Sequence, residues 1–508
     1  MNYLDNKTLL LHGTDNVVVS LCDIAAGEPL LGGAFILPTA VPAGHKICIK
    51  PVSTGAPIRK YGQIIGEAKT EIAVGEHVHT HNLGMGDHKQ DYDFSSSVNA
   101  LLPARDTHEF MGFLRDTGKV GTRNYIGILT SVNCSGSVAR FIAEATEREG
   151  WLENFGNVDG VVPIVHSTGC GMSGKGEGYD TLFRTLAGYA QNPNFGAILL
   201  VGLGCEVMQI SDLVGHKKLI ANPNFRYITI QQSGGTRKTV EQGVVSLKEL
   251  AAQANKAVRT PQPVSSLVVG LQCGGSDGYS GITANPALGV TSDLLVQQGG
   301  TTILSETSEI YGAEHLLTRR ALTPKIGEDL IDRVKWWEDY CARNFSEMDN
   351  NPSPGNKRGG LTTILEKSLG AVSKGGTAPL TAVYKYAEPI TSSGFVFMDS
   401  PGYDPCSVTG QIASGANMIV FTTGRGSVSG YKPSPCIKIA SNSSMYSRMA
   451  EDMDVNCGDV VEDGASIEDK GREIYQLILD VASGRKTKSE DLGFGGVEFV
   501  PWQIGAVM

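Results

Sequence analysis

The chain has no long hydrophobic run, no basic cluster and no paired-cysteine motif, and each absence removes a class of function. Its longest apolar stretch, FGAILLVGL at 195–203, falls well short of the roughly 20 residues needed to cross a bilayer. No run of Lys/Arg exceeds two, and 43 basic against 53 acidic residues leave a net charge of −10. The basic stripe of a nucleic-acid binder is therefore missing. None of the ten cysteines forms a C-x-x-C, which excludes a zinc ribbon or a ferredoxin motif. The opening MNYLDNKTLLLHGTDN lacks the charged-then-apolar pattern of a signal peptide. A cytoplasmic protein with reduced thiols is expected. With 41% hydrophobic and 19% charged residues, there is material for a large core and no compositional case for disorder.

Glycine is in excess, at 63 of 508 residues, about 12% against a usual share of about 7%. The glycines cluster just after apolar runs, as in a backbone that turns tightly beside a ligand. Residues 1–82 read as a small all-β domain, with β-prone runs at 17–21, 46–51 and 63–68 between turn sequences. Residues 83–120 read as an extended linker. Beyond it, short apolar strands alternate with helix-length periodic segments, clearest at 138–148, 181–191, 325–344 and 472–483. That alternation predicts parallel sheets with helices packed on their faces. A polar, proline-bearing stretch at 253–263 divides it into a first α/β domain over 121–260 and a second over 261–508.

Four strand-like runs end alike, with Cys134, Cys170, Cys205 or Cys273 just past the carboxyl end. In open α/β sheets that edge binds ligands. Thiolates suit Fe, Zn or an Fe–S cluster, although a buried cysteine can equally be a small hydrophobe. In EHVHTHN (76–82), His77, His79 and His81 alternate. On a strand all three share one face, and imidazole is the commonest ligand of divalent Fe, Zn and Mn. The alternative is a solvated polar face. The run HSTGCGMSGKG (166–176) approaches the phosphate loop G-x-x-x-x-G-K-[ST], but Gly176 stands where the metal-binding hydroxyl belongs. A glycine-rich turn entering a helix still suits a carboxylate or phosphate. Arg123, Lys357 and Arg425 lie in glycine-bearing segments and are candidate anion clamps, or else structural cations.

Taken together these segments resemble the altronate/galactarate dehydratase family. The resemblance is carried by GTRNYIGILTSVNCS (121–135), HSTGCG (166–171), GLGCE (202–206) and QCGGSDGYSGITANPALG (272–289). It continues through GGTTILSETSEIYGAEHLL (299–317), NPSPGNKRGGLTTILEKSLGAVSKGGT (351–377) and MDSPGYDPCSVTGQIASGANMIVFTTGRG (398–426). The first 80 residues resemble the β-clip, SAF-type domain that precedes this core, and HVHTH looks closer to the altronate branch.

The resemblance implies dehydration of a sugar acid to a 2-keto-3-deoxy acid with a divalent metal, Fe2+ before Mn2+. For D-altronate the product would be 2-keto-3-deoxy-D-gluconate. Galactarate dehydration, sulfite elimination from a sulfonated hydroxy acid, and sugar-acid binding without catalysis are the alternatives. A C2 proton beside a carboxylate is a very weak acid, so several groups must stabilise the ene-diolate, at roughly 3 kcal/mol for each donor. The candidate metal ligands are His77, His79, His81, Cys134, Cys170, Cys205, Glu206 and Cys273. An Fe–S cluster on three of the four cysteines is the other cofactor reading. His166, Lys175, Tyr279 and Tyr403 are the candidate acid–base groups, His166 leading by its ordinary pKa. Arg123, Asn133, Asp277, Lys357 and Arg425 are the candidate substrate contacts. The small domain is expected to fold over the edge bearing these loops, in this chain or in the partner of a homodimer. Neither nucleic acid nor membrane is an expected partner.

Overall fold

A computed structural model describes residues 2–86, 92–99, 101–215 and 224–505; residues 87–91 and 100 of the expected linker lie outside these. The N-terminal region is all-β. Asn2–Tyr3, Thr8–Leu10, Val17–Ser20, Lys46–Cys48 and His77–Val78 form one antiparallel sheet in that order. Leu83–Gly84, Gln63–Ala68 and Pro57–Lys60 form a second. Val17, Val18 and Val19 are all buried, as suits a β-branched run in a sheet covered on both faces.

The expected linker is not structureless. Glu109–Leu114 pairs antiparallel with Val120–Gly121 and with Thr260–Pro263. The segment EFMGFL exposes Glu109 and Met111 and buries Phe110 and Phe113, a partial period-two pattern that a polar surround disguises. The expected boundary stretch at 253–263 is likewise the end of the helix Thr236–Ala254 and the strand Thr260–Pro263. These strands bracket the middle domain, whose parallel sheet runs Gly160–Ile164, Tyr125–Thr130, Phe195–Gly202, Phe225–Thr229. Ile126 and Ile128 pack toward the helices Gly136–Glu149 and Thr236–Ala254, while Tyr125 and Leu129 face the helix Glu177–Ala190. With both faces covered, the central strands carry no polar alternation.

The C-terminal domain holds a seven-stranded parallel sheet in the order Leu380–Tyr384, Gly394–Met398, Thr301–Leu304, Val268–Cys273, Met418–Thr423, Cys436–Ala440, Val455–Asn456. From Val268–Cys273 the chain moves first to one side and later to the other. That reversal opens a crevice at the strands' carboxyl ends. The helix Asp404–Ser414 packs beside Glu177–Ala190 of the middle domain, and Asn192 Nδ2 donates to Ile412 O and Ala416 O at 2.9 Å each. Gly188 meets Ala413 and the Arg184 Nε donates to Tyr386 O, whose ring lies on Gly410. The two helices therefore run in the same direction. Each starts at the carboxyl edge of its own sheet, so both edges face one side of the molecule. Among the described residues no helix is long and apolar enough to cross a membrane.

Arg123 ties the middle domain to the C-terminal segment with all five N–H donors. Two reach the Glu490 carboxylate at 2.7 and 2.8 Å, and three reach the carbonyls of Thr122, Val481 and Arg485. Removing one partner of a buried ion pair strands the other, at a cost of about 3–5 kcal/mol. Arg123→Met is expected to lower the urea midpoint of the first unfolding transition accordingly. Arg123→Lys should recover only part, lacking the planar fork. An unchanged midpoint in Arg123→Met would show the strut to be idle.

Candidate active site

The histidines meet because of strand register. Lys46 pairs with Val78 and Ile47 with His77, so the residue preceding Lys46 comes opposite His79. That residue is His45, at the end of a turn in which Gly44 takes φ +78° and donates to Ser20 O. His45 Nδ1 lies 3.0 Å from His77 Nε2, and donor atoms of His45, His77 and His79 all fall within 4.8 Å of one another. His81, exposed beyond the strand, keeps its ring 5.6 Å from that of His77. The motif showed His77, His79 and His81; His45 was hidden, and only the antiparallel pairing of two His-bearing strands could have revealed it.

Burial, aided by the neighbouring imidazoles, pushes His77 down to about 4. Burial, with Lys46 and the other two rings, pushes His79 down to about 3. Both are neutral at pH 7, the state a metal ligand requires. His79 Nδ1 is buried with no hydrogen-bond partner, a cost of about 1–3 kcal/mol that coordination would relieve. Three neutral imidazoles with one orphaned nitrogen fit a divalent ion.

The cluster sits against the crevice of the large sheet within the same chain. His45 Nε2 lies 3.3 Å from Arg358 O, and Tyr279 Oη donates to Ser20 O at 3.1 Å. A side chain at Gly278 or Gly360 would strike the Gly44 carbonyl, so the two surfaces touch backbone to backbone. Beneath them Glu366, fully buried, accepts from Lys46 Nζ at 2.9 Å and Lys60 Nζ at 2.9 Å, and from Thr362 N and Oγ1. Burial alone would raise the Glu366 carboxyl, but the two ammoniums hold it well below the usual range.

Behind the next residue, Lys367, lies a second buried cluster at the same edge. Lys367 Nζ donates to Glu309 at 2.6 Å, and Lys374 Nζ to Cys273 Sγ at 2.8 Å. Burial pushes the Cys273 thiol up to about 12. Glu306, with φ +70°, is wholly buried, and neither carboxyl oxygen has a hydrogen-bond partner. Burial and the charge of Glu309 raise its carboxyl well above the usual range. Enclosure and Glu309 likewise push Asp404, beside Gly274, up to about 7. The nearest cation to Glu306 is Lys374 Nζ, 3.8 Å from Oε2, and a strained carboxyl without a hydrogen bond at a ligand-binding edge is a candidate functional position. Neither Glu306 nor Asp404 stood out in the sequence, because enclosure is a property of packing.

The other sequence candidates divide clearly. Arg425 is exposed and stands between Gly275 and Gly359. Tyr403 is exposed beside Asp404, and Lys357 is half-buried. Asp277 is buried and saturated by Ser280, Ser441, Asn442 and the Tyr279 amide, so it braces the loop. Arg123 has no donor left for a substrate, as described above. Cys134, Cys170 and Cys205 are exposed at the middle domain's edge, with Asn133 exposed beside them. Glu206 is buried under those loops, accepting from Ser131 Oγ and the Leu203 and Gly204 amides. Lys175 is exposed in the glycine-rich turn, whose helix opens with Glu177 and Asp180; that charge opposes the expected anion. His166 is buried, with Nε2 3.0 Å from Thr130 O and Nδ1 accepting from Thr168 N. Burial pushes it down to about 4.

Known proteins match this architecture along nearly its whole length. The model of the altronate/galactarate dehydratase SAF domain matches residues 6–86. That of the D-galactarate dehydratase/altronate hydrolase second domain matches 112–255, and that of the D-galactarate/altronate dehydratase C-terminal domain matches 264–507. The chain is 34% identical to an altronate dehydratase of Bacillus subtilis (strain 168) over 489 residues, covering 95% of this chain and 96% of the relative. It is 35% identical to the galactarate dehydratase (L-threo-forming) of Escherichia coli (strain K12), covering 95% and 94%. It is 33% identical to the beta subunit of a (2R)-sulfolactate sulfo-lyase of Chromohalobacter salexigens, covering 76% and 95%.

His166 gives a pH test of the middle domain. Its pKa is about 4 folded and about 6.5 unfolded, so the unfolded chain binds the extra proton between those values. Its stabilising contribution is therefore complete above pH 6.5 and lost as pH falls toward 4, roughly 3 kcal/mol in all. His166→Gln, which keeps a donor for Thr130 O, is expected to lose less unfolding free energy than the parent between pH 7 and pH 4. An identical loss would show that His166 does not report acid stability.

Proposed function

Because this chain belongs to the D-galactarate/altronate dehydratase family, and is thus an enzyme of the hydro-lyase type acting on a sugar acid, we propose that it dehydrates D-altronate to 2-keto-3-deoxy-D-gluconate in the cytoplasm. The observation that carries the proposal is the meeting of His45, His77 and His79 with the glycine loops of the large sheet. In this reading the three imidazoles hold Fe2+, with Mn2+ as the alternative. A divalent ion there supplies a Lewis acid for the negative charge that develops as the C2 proton leaves.

The chain's own groups supply the rest. Arg425 offers a planar fork for the substrate carboxylate beside the histidines. Asp404, with a pKa of about 7, is poised near working pH to take the C2 proton. Burial and the charge of Glu309 raise the Glu306 carboxyl well above the usual range, which favours its protonated form. It can therefore donate to the departing C3 hydroxyl. Lys367 and Lys374 keep the pocket from accumulating negative charge. Nothing in these groups dictates the configuration at C2 and C3, so the choice of altronate over galactarate rests on the HVHTH segment.

The test is 2-keto-3-deoxy acid formation from D-altronate under anaerobic conditions, with galactarate and (2R)-sulfolactate alongside. Turnover is expected with Fe2+ and should vanish on chelation. His79→Ala should lower bound metal and turnover together. Glu306→Gln should retain metal while kcat falls about 10²–10⁴-fold, the usual weight of general acid–base catalysis. Turnover of galactarate alone would reassign the substrate, and full activity in His79→Ala would remove the histidines from the site.

A further inference from the structure

Four of the ten cysteines are exposed, and three of these, Cys134, Cys170 and Cys205, stand on one edge of the middle domain. Packing explains a buried cysteine as a small hydrophobe; it does not explain three exposed thiols on neighbouring loops. The loops follow Tyr125–Thr130, Gly160–Ile164 and Phe195–Gly202, the first of which lies between the other two in the sheet.

The loops are braced to one another in all three pairings. Asn133 N donates to Thr168 O at 2.9 Å, joining the Cys134 and Cys170 loops. Val207 N and Met208 N donate to Gly169 O at 3.1 and 3.0 Å, joining the Cys170 and Cys205 loops. Ser131 Oγ donates to Glu206 Oε1 at 2.6 Å, closing the triangle. Cys170 sits between Gly169 (φ +99°) and Gly171 (φ +64°), and Cys205 follows Gly204 (φ +124°). At Gly169 a side chain would strike the Ser131 carbonyl, so only glycine lets the loops approach this closely.

Among the described residues, the thiol, imidazole and carboxylate donors available on these loops are the three sulfurs, and Cys205 Sγ accepts from Gln231 Nε2 at 3.3 Å. Glu206 is spent on Ser131 Oγ and two amides, and both His166 nitrogens are engaged. Cys273 is buried against Lys374 on the other sheet. A structural zinc site takes four protein ligands, whereas a four-iron cubane held by three thiolates keeps one iron open. We propose that Cys134, Cys170 and Cys205 ligate a [4Fe–4S] cluster whose fourth iron faces the solvent side and takes an oxygen ligand of hydroxy-acid type. This centre is separate from the histidine site and stands whether or not that site holds a metal.

The experiment transfers a preformed [4Fe–4S] complex with four thiolate ligands to the purified full-length chain, anaerobically. Three cysteine thiols displace three of those thiolates, each passing its proton to the departing ligand; the fourth thiolate stays on the open iron until an oxygen ligand displaces it, and no electrons move. After desalting, the protein is expected to be brown, with iron and acid-labile sulfide in equal amounts, about four of each per chain. Cys134→Ser, Cys170→Ser and Cys205→Ser should each bring retained iron and sulfide to background with the far-UV circular dichroism unchanged. Cys22→Ser, exposed in the N-terminal domain, should retain the full complement, as should His77→Ala, which separates this centre from the histidine site. Iron without sulfide, or a complement indifferent to the three serine variants, would overturn the proposal.

Discussion

Everything at the proposed site depends on one buried carboxylate. Glu366 lies in the C-terminal domain, and the two ammoniums that hold it, Lys46 and Lys60, come from the N-terminal β domain. Burying three charges costs several kcal/mol per ion before any attraction is counted. The arrangement is tolerable only with the partners in place and the remaining lone pairs filled, as Thr362 does. With the domains apart, two lysines and a glutamate would need rehydration; with them docked, Gly44 lies on Gly278 and Gly360. The ion triad thus specifies one docking pose, and that pose carries the histidines to the crevice.

From that pose a division of labour follows. The small domain brings neutral imidazoles, and the large domain brings an unpaired guanidinium, a strained carboxyl and a carboxyl poised near neutrality. Lys46 adjoins His45, and Lys367 adjoins Glu366, so the triad sits between the two sets of functional groups. The parallel setting of Glu177–Ala190 and Asp404–Ser414 brings the cysteine loops of the middle domain to the same side. Three domains thus present their chemistry in one direction.

Much of this was legible in the sequence, for identifiable reasons. The helices expected at 138–148 and 325–344 are Gly136–Glu149 and Pro324–Arg343, since a long amphipathic period is a strong signal. The carboxyl-edge rule located the four cysteine loops, because a glycine-rich turn after an apolar run is local information. Which sheet each edge belongs to is not local. Cys273 therefore grouped with Cys134, Cys170 and Cys205, although the fold sets it against Lys374 in another domain. His45 stayed hidden because strand register joins residues 32 apart. Arg123 looked like an anion clamp because nothing in its neighbourhood shows Glu490 waiting 367 residues away.

The central claim is that docking by the Glu366 triad, and not the histidine cluster alone, makes the site. All three histidines belong to the small domain, so Glu366→Gln leaves the metal ligands untouched while removing the charge that holds the pose. The decisive measurement is iron content and altronate turnover in that variant, with limited proteolysis of the interdomain stretch reporting docking. Retained iron, faster cleavage and a turnover lost by at least about 100-fold, the lower bound for displaced acid–base groups, is the predicted result. Undiminished turnover with faster cleavage would contradict the account, since the histidines would then be separable from catalysis.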